Sequence, residues 1–172
     1  MPRFEAVDME AVKKSVQTGP DARASLEVGL VEKAGDRVTV RCGACQGTGA
    51  DRHTRGHCRA CGGKGLVTIR EPALRCAYCR GSGWQPHKER LGCSICGGKG
   101  VVTVKEPFVQ CAFCQGQGMA VSTKLPCYAC QGKGVVAVKE PLATCPSCQG
   151  TGKSNDARLP CHACKGKGVV TI

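Results

Sequence analysis

Apolar residues recur in this chain as short runs between polar and glycine-rich stretches. LVTIREPALR at 66–75, VVTVKEPFVQ at 101–110 and VVAVKEPLAT at 135–144 share one plan: a short strand, a charged Lys/Arg-Glu-Pro turn and a second short strand. Proline suits such a turn because its φ is already fixed. The pattern predicts a β-hairpin over each of the three segments. SLEVGLVEKAGDRVTVR at 25–41 predicts a further hairpin, turning at residues 33–36. VVTI at 169–172 reads as a first strand whose return partner is missing. Near the start, Phe4, Val7, Val12 and Val16 fall roughly on one face of a helix over 4–17, ended by Thr18-Gly19-Pro20. Residues 1–24 are thus either a helix or a flexible tail.

Between the apolar runs stand eight copies of Cys-x-x-Cys-x-Gly-x-Gly, and they use all sixteen cysteines. Four copies, which we call type A, open at Cys42, Cys76, Cys111 and Cys145 and continue to Cys45, Cys79, Cys114 and Cys148. Four of type B open at Cys58, Cys93, Cys127 and Cys161, reach Cys61, Cys96, Cys130 and Cys164, and always end in Gly-Lys-Gly. One A and one B form a repeat. Repeats start at 42, 76, 111 and 145, a period of 34 to 35 residues that marks a tandem array. The A-to-B linkers (ADRHTRGH, WQPHKERLG, MAVSTKLP and KSNDARLP) are polar and variable.

Two thiolates at this spacing sit on one tight turn and grip a single metal ion. Two such turns complete the four-sulfur tetrahedron preferred by structural zinc, so eight turns imply four Zn2+ ions. The glycines fit, because a turn that aims N–H groups at sulfur often needs positive φ. A disulfide framework is the competing reading. The N-terminal MPRFEAVDMEAVKK is charged throughout with no apolar signal core, and no run approaches membrane-spanning length. The expected compartment is therefore the reducing cytoplasm, where paired Cys-x-x-Cys turns hold metal. Iron–sulfur ligation also uses four cysteines, but eight glycine-rich knuckles favour zinc. His57 and His162 adjoin the turns, and sites already closed by four thiolates leave them no ligand role. His53 and His87 lie in polar linkers and are expected to be solvated.

Composition points the same way. Aromatic residues make up 3% of the chain, too few large side chains for one packed core in 172 residues. Metal replaces the core in such small units. The expected fold class is small metal-stabilised β: an elongated tandem array of zinc knuckles joined by short β-hairpins, with little hydrophobic core. The formal charge of +12 treats the cysteines as neutral. Sixteen thiolates subtract 16 and four Zn2+ ions return 8, leaving +4. Lysines and arginines are dispersed rather than clustered into a nucleic-acid footprint.

Repeated CxxCxGxG resembles the cysteine-rich zinc domain of DnaJ chaperones, which carries four copies and two zinc ions. The chain resembles two such domains in tandem: 42–110 and 111–172, with 25–41 as a hairpin lead-in. One repeat, CAFCQGQGMAVSTKLPCYACQGKGVVAV, also resembles the zinc module of anti-TRAP, and plant Rubisco assembly factors of the bundle-sheath-defective type carry a lone domain of this kind. No His-Pro-Asp tripeptide occurs, so no J domain is implied. The resemblances imply two ways to share zinc. Anti-TRAP implies A with B inside each repeat. DnaJ implies nesting: Cys42 and Cys45 with Cys93 and Cys96, and Cys58 and Cys61 with Cys76 and Cys79. The likeness among the three inter-repeat linkers favours the first scheme. The closer whole-domain resemblance tips the expectation to nesting.

The function expected is a non-catalytic, zinc-binding protein-interaction module, chaperone-like or an assembly factor or structural subunit. Its partner would be a protein client or an assembling subunit, such as one of a large enzyme complex, and not a membrane. Tyr78, Trp84, Phe113 and Tyr128 either cover the metal sites or form an exposed row that grips a partner. Lys64, Lys99, Lys133 and Lys167 lack the strand–loop–helix context of a phosphate loop and are expected to offset thiolate charge. A nucleic-acid-binding or regulatory zinc protein is the alternative. A thiol–disulfide redox protein is the second, disfavoured because zinc-bound thiolates are poorly reactive.

Overall fold

The computed structural model describes residues 30–120, 123–156 and 158–172. The helix candidate at 4–17 and the first part of the lead-in hairpin lie outside the described residues. Eleven short strands follow in order among those described: β1 Leu30–Ala34, β2 Arg37–Arg41, β3 Leu66–Arg70, β4 Ala73–Arg75, β5 Trp84–Gln85, β6 Lys88–Gly92, β7 Val101–Thr103, β8 Phe108–Gln110, β9 Val135–Ala137, β10 Leu142–Thr144 and β11 Val169–Thr171. No helix occurs among the described residues. The fold is a small, metal-stabilised β array with four sulfur clusters in tandem.

The lead-in hairpin forms, with β1 antiparallel to β2 and the turn at Gly35 and Asp36. The three hairpins expected at 66–75, 101–110 and 135–144 do not. The two strands of each segment face different partners. β3 pairs with β2, β4 with β7, β8 with β9, and β10 with β11, all antiparallel. The strand entering each repeat therefore pairs with the strand leaving the same repeat. Lys/Arg-Glu-Pro is the crossing from one repeat to the next, not a hairpin turn. VVTI at 169–172 does have a partner: Val169, Val170 and Thr171 lie opposite Thr144, Ala143 and Leu142.

The physical reason is the metal knuckle. In repeat one the N–H of Cys42 donates to the carbonyl of Gly65 at 2.9 Å, and the N–H of Cys58 donates to that of Gly49 at 2.8 Å. Each motif's first cysteine is tied to the last glycine of its partner motif. Once A and B are locked so, the chain entering A and the chain leaving B run side by side and continue as a ladder. Repeats two, three and four carry the same tie from Cys76 to Gly100, Cys111 to Gly134 and Cys145 to Gly168.

The described residues fall into two compact units, 30–104 and 105–172, each holding two repeats. In the first, Val38 and Val40 of β2 face Ile69 and Val67 of β3 and are buried with them, as period-2 alternation requires. Val40 and Val67 pack on the sulfur cluster of repeat one, while Val38 and Ile69 pack with Ala73. In the second unit, Val109, Val136, Val138 and Leu142 surround Phe113 and the cysteines of repeat three. The apolar core is thus a set of small clusters, mostly built on sulfur.

Candidate metal centres

The sixteen cysteines meet in four groups: Cys42, Cys45, Cys58 and Cys61; Cys76, Cys79, Cys93 and Cys96; Cys111, Cys114, Cys127 and Cys130; Cys145, Cys148, Cys161 and Cys164. All are buried, and within each group the sulfurs lie within 4.8 Å of one another. Sγ–Sγ separations between A and B motifs run from 3.6 Å for Cys148–Cys164 to 3.9 Å for Cys111–Cys127. A tetrahedron with Zn–S arms of about 2.3 Å has edges of about 3.8 Å. The four cages therefore have the size of zinc tetrathiolate centres, and each suits one Zn2+.

Sharing is within each repeat, which overturns the nested expectation. Cys42 stands 3.8 Å from Cys58, and Cys45 stands 3.7 Å from Cys61. Nesting would have carried the strands entering and leaving a repeat to different sites, against the ladders formed by β2–β3, β4–β7, β8–β9 and β10–β11.

Backbone shape explains the rest of the motif. The residue after each second cysteine has positive φ whether or not it is glycine: Gln46 at 54°, Arg80 at 53°, Gln115 at 53°. The final glycine serves a second demand. A Cβ on Gly49 would sit 2.2 Å from the Gly63 carbonyl oxygen, and one on Gly65 would sit 2.3 Å from that of Gly47. Only a residue without Cβ lets the two knuckles close this tightly. The same glycines point N–H groups at sulfur, Gly49 to Cys45 at 3.3 Å and Gly65 to Cys61 at 3.2 Å. These bonds stabilise thiolate charge.

Sulfurs this close cannot all hold negative charge without a cation. Cys76 is pushed far up, first by the adjoining Cys79, and Cys93 is drawn far down, first by the thiol of Cys76. Cys111 and Cys127 behave alike in repeat three. In repeat one burial pushes Cys42 up to about 12. Burial opposes ionisation of Cys45 too, but the N–H groups of Gly49 and Gly47 and the neighbouring Cys61 and Cys42 bring it down to about 7. A divalent ion removes the conflict by displacing the retained protons. Four thiolates close the coordination sphere, so the zinc is structural.

The aromatic residues divide. Tyr78 and Phe113 are buried, at 4% and 1% exposure, which takes them off any partner-binding row. Trp84 is half-buried; its Nε1–H donates to the Ala44 carbonyl at 3.0 Å, and its ring meets His53 edge-on at 5.0 Å. Tyr128 alone of the four is widely exposed, at 62%. His53 is not merely solvated, because its Nε2–H donates to the Glu89 carbonyl at 2.9 Å. His57 and His162 are exposed beside complete sulfur cages. Lys64 and Lys99 are exposed, and Lys133 and Lys167 half-buried.

Sequence reasoning missed the contact between repeats. Inside unit 30–104, the N–H groups of Gly43 and Ala44 donate to the carbonyls of Lys99 and Gly98 at 2.9 and 3.0 Å. Inside unit 105–172, the N–H of Phe113 donates to the Gly166 carbonyl at 3.2 Å. An A knuckle thus docks on the Gly-Lys-Gly of the following repeat, which gives that tripeptide a structural task. The signal was the residue before each second cysteine, apolar in Ala44, Ala60, Tyr78, Ile95, Phe113, Ala129 and Ala163 and polar only in Ser147.

These features define a zinc-stabilised array of glycine-rich knuckles. Residues 76–134, the third to sixth motifs, match the family model of the DnaJ central domain, so this stretch is similar to a DnaJ-type cysteine-rich zinc domain. No curated protein and no solved structure matches the chain.

Proposed function

We propose that the chain is a non-catalytic protein-interaction module of the cytoplasm, acting as a chaperone-like or assembly factor or as a structural subunit of a larger complex. One observation carries the reading: every cysteine is consumed in a closed, buried tetrathiolate cage. Such metal shapes the chain and offers no open position for substrate. What the cages present is surface, including the exposed ring of Tyr128. No helix among the described residues is long and apolar enough to cross a membrane. With +4 overall once zinc is bound, the chain has a modest field for a polyanion.

The test uses the zinc-loaded full chain with a chemically unfolded protein and a single-stranded oligonucleotide, each titrated from low to moderate salt. The expected result is suppression of aggregation with little salt dependence and weak oligonucleotide binding. A steep salt slope with the oligonucleotide and no effect on the unfolded protein overturns the reading in favour of nucleic-acid binding. Recovery of activity only after metal release favours thiol redox chemistry.

A further inference from the structure

The joint between repeats has two unlike faces. The docking face is the second and third residues of an A knuckle. The receiving face is the glycines that follow the cysteines of the next repeat. In unit 30–104, Gly43 and Ala44 stand over repeat two: a Cβ on Gly83 would lie 2.5 Å from the Ala44 nitrogen, and one on Gly100 would lie 3.0 Å from the Gly43 Cα. In unit 105–172, Ala112 and Phe113 stand over repeat four: a Cβ on Gly152 would lie 2.8 Å from the Phe113 nitrogen, and one on Gly168 would lie 2.8 Å from the Ala112 Cβ. Within each unit the contact therefore has a direction, from an A knuckle to the glycines that come later.

Repeat one carries a receiving face that is uncovered among the described residues. The nearest atoms to a Cβ on Gly47, Gly49, Gly63 or Gly65 all belong to repeat one or to Arg41 just before it. Gly63 is half-buried, whereas its counterparts Gly98 and Gly166 are buried. Repeat four carries the opposite face. Its A knuckle is exposed at both Pro146 and Ser147. In the other A knuckles the third residue is Ala44, Tyr78 or Phe113, at 4%, 4% and 1% exposure.

That exposed knuckle has the wrong chemistry for docking. Proline has no N–H, so Pro146 cannot make the bond that Gly43 makes to the Lys99 carbonyl at 2.9 Å. Its ring also adds carbons where Gly43 and Ala112 approach backbone closely. Ser147 puts a hydroxyl where Ala44 and Phe113 bury apolar groups, and an unpartnered hydroxyl is costly to bury. Arrays of stacked repeats need such polar ends to stay soluble.

We propose that the glycine face of repeat one is a socket for a zinc knuckle, and that Pro146 and Ser147 keep the repeat-four knuckle of a second copy out of it. The socket selects a knuckle with a non-proline second residue and an apolar third residue, as in Gly43-Ala44 and Ala112-Phe113. Identical chains then do not stack, and the occupant is a knuckle of this kind on a different protein. The inference gives the protein-interaction reading a surface and a partner class, but it rests on the two joints rather than on that reading.

The test mixes zinc-loaded full chains. In one variant Pro146→Ala with Ser147→Phe copies Ala112-Phe113. In the other Pro146→Gly with Ser147→Ala copies Gly43-Ala44. Labelled wild-type chain is titrated with each variant and with unlabelled wild-type chain. Both variants should keep four zinc ions, since the replaced side chains are exposed. Both should bind wild-type chain at least about tenfold more tightly than it binds itself. Hydrogen exchange should slow at residue 147 of the variant and over residues 46–65 of its wild-type partner, with no change over 105–172 of that partner. The second variant gives the reading if the first loses metal, and it adds no ring that could stick unspecifically. Wild-type chain that binds itself as tightly as it binds the variants overturns the proposal. So does a failure of both variants to bind it, association of variants only with themselves, or protection of the partner at 105–172. Each of these leaves suppression of aggregation by the wild-type chain unaffected, so the socket and the general role fail separately.

Discussion

Units 30–104 and 105–172 build the same joint with different side chains. In both, an A knuckle donates backbone N–H groups to the Gly-Lys-Gly carbonyls of the next repeat: Ala44 to Gly98, and Phe113 to Gly166. In the first unit the knuckle residue is small, and the aromatic group comes from the neighbouring repeat as Trp84, which reaches back to the Ala44 carbonyl. In the second the knuckle itself brings Phe113, and the position equivalent to Trp84 is Lys153. The backbone joint is the constant, and the ring is supplied from whichever side has it. Glycine makes the joint possible: a Cβ on Gly98 would lie 2.7 Å from the Ala60 Cβ, and one on Gly166 would lie 2.5 Å from that of Ala129.

Metal removal is the strongest way to break the comparison, because both units depend on it. A strong chelator should collapse amide dispersion over residues 37–172 as four zinc ions leave. The units differ in what could outlast the loss. Among the described residues, unit 30–104 has an apolar cluster without cysteine, in which Val38 and Ile69 of the three-stranded sheet β1–β2–β3 pack with Ala73 of β4. Any residual hydrogen-exchange protection should therefore lie there. Unchanged spectra after proven metal removal would refute the dependence.

Site sharing gives the next largest effect. Replacing Cys42, Cys45, Cys58 and Cys61 together by Ser should remove one zinc and leave three, because those four residues form one cage. Nested sharing would cost two. Elemental analysis decides between the counts, and spectra of unit 105–172 should not change.

That experiment touches what was legible in the sequence and what was not. Ligand identity was written in spacing, since Cys-x-x-Cys fixes two sulfurs on one turn whatever surrounds it. Strand pairing was not. LVTIREPALR looks like a hairpin because its two strands are close in sequence, yet each is claimed by a distant strand that a metal cage has brought alongside. The aromatic residues show the same limit. Phe113 and Tyr128 both lie inside Cys-x-x-Cys turns, and one is buried while the other is exposed. Phe113 belongs to an A motif, whose second and third residues both lie in the joint, as Gly43 and Ala112 do; Tyr128 is the second residue of a B motif and faces out, a distinction that the Cys-x-x-Cys spacing does not carry.

The aromatic exchange itself is sharpened by two substitutions. Phe113→Ala should cost unit 105–172 about 3–5 kcal/mol, as expected for a fully buried ring. Trp84→Ala should cost unit 30–104 about 2 kcal/mol, because its ring is only half-buried and the Ala44–Gly98 bond persists without it. Hydrogen exchange resolved by unit reads both in the zinc-loaded chain. An equal cost, or a larger one for Trp84, would mean that the tryptophan and its contact with His53 hold the joint more than burial indicates.

The smallest effect concerns a feature found in the first unit. Lys33 on β1 meets Glu71, the residue of the Arg-Glu-Pro crossing, with Nζ 2.9 Å from the carboxylate. The same segment is also tied by the Glu71 N–H donating to the Asp36 carbonyl at 2.7 Å. The ion pair is surface-placed, with Lys33 58% exposed, so solvent screens it. Lys33→Ala should then cost under about 1 kcal/mol, and less still at high salt. The backbone bond and the β1–β2 ladder should hold the strand in place. Hydrogen exchange of β1 amides at low and high salt measures this directly. A cost above about 2 kcal/mol that salt does not reduce would show that the Lys33 stem, by packing rather than charge, anchors β1 to the sheet.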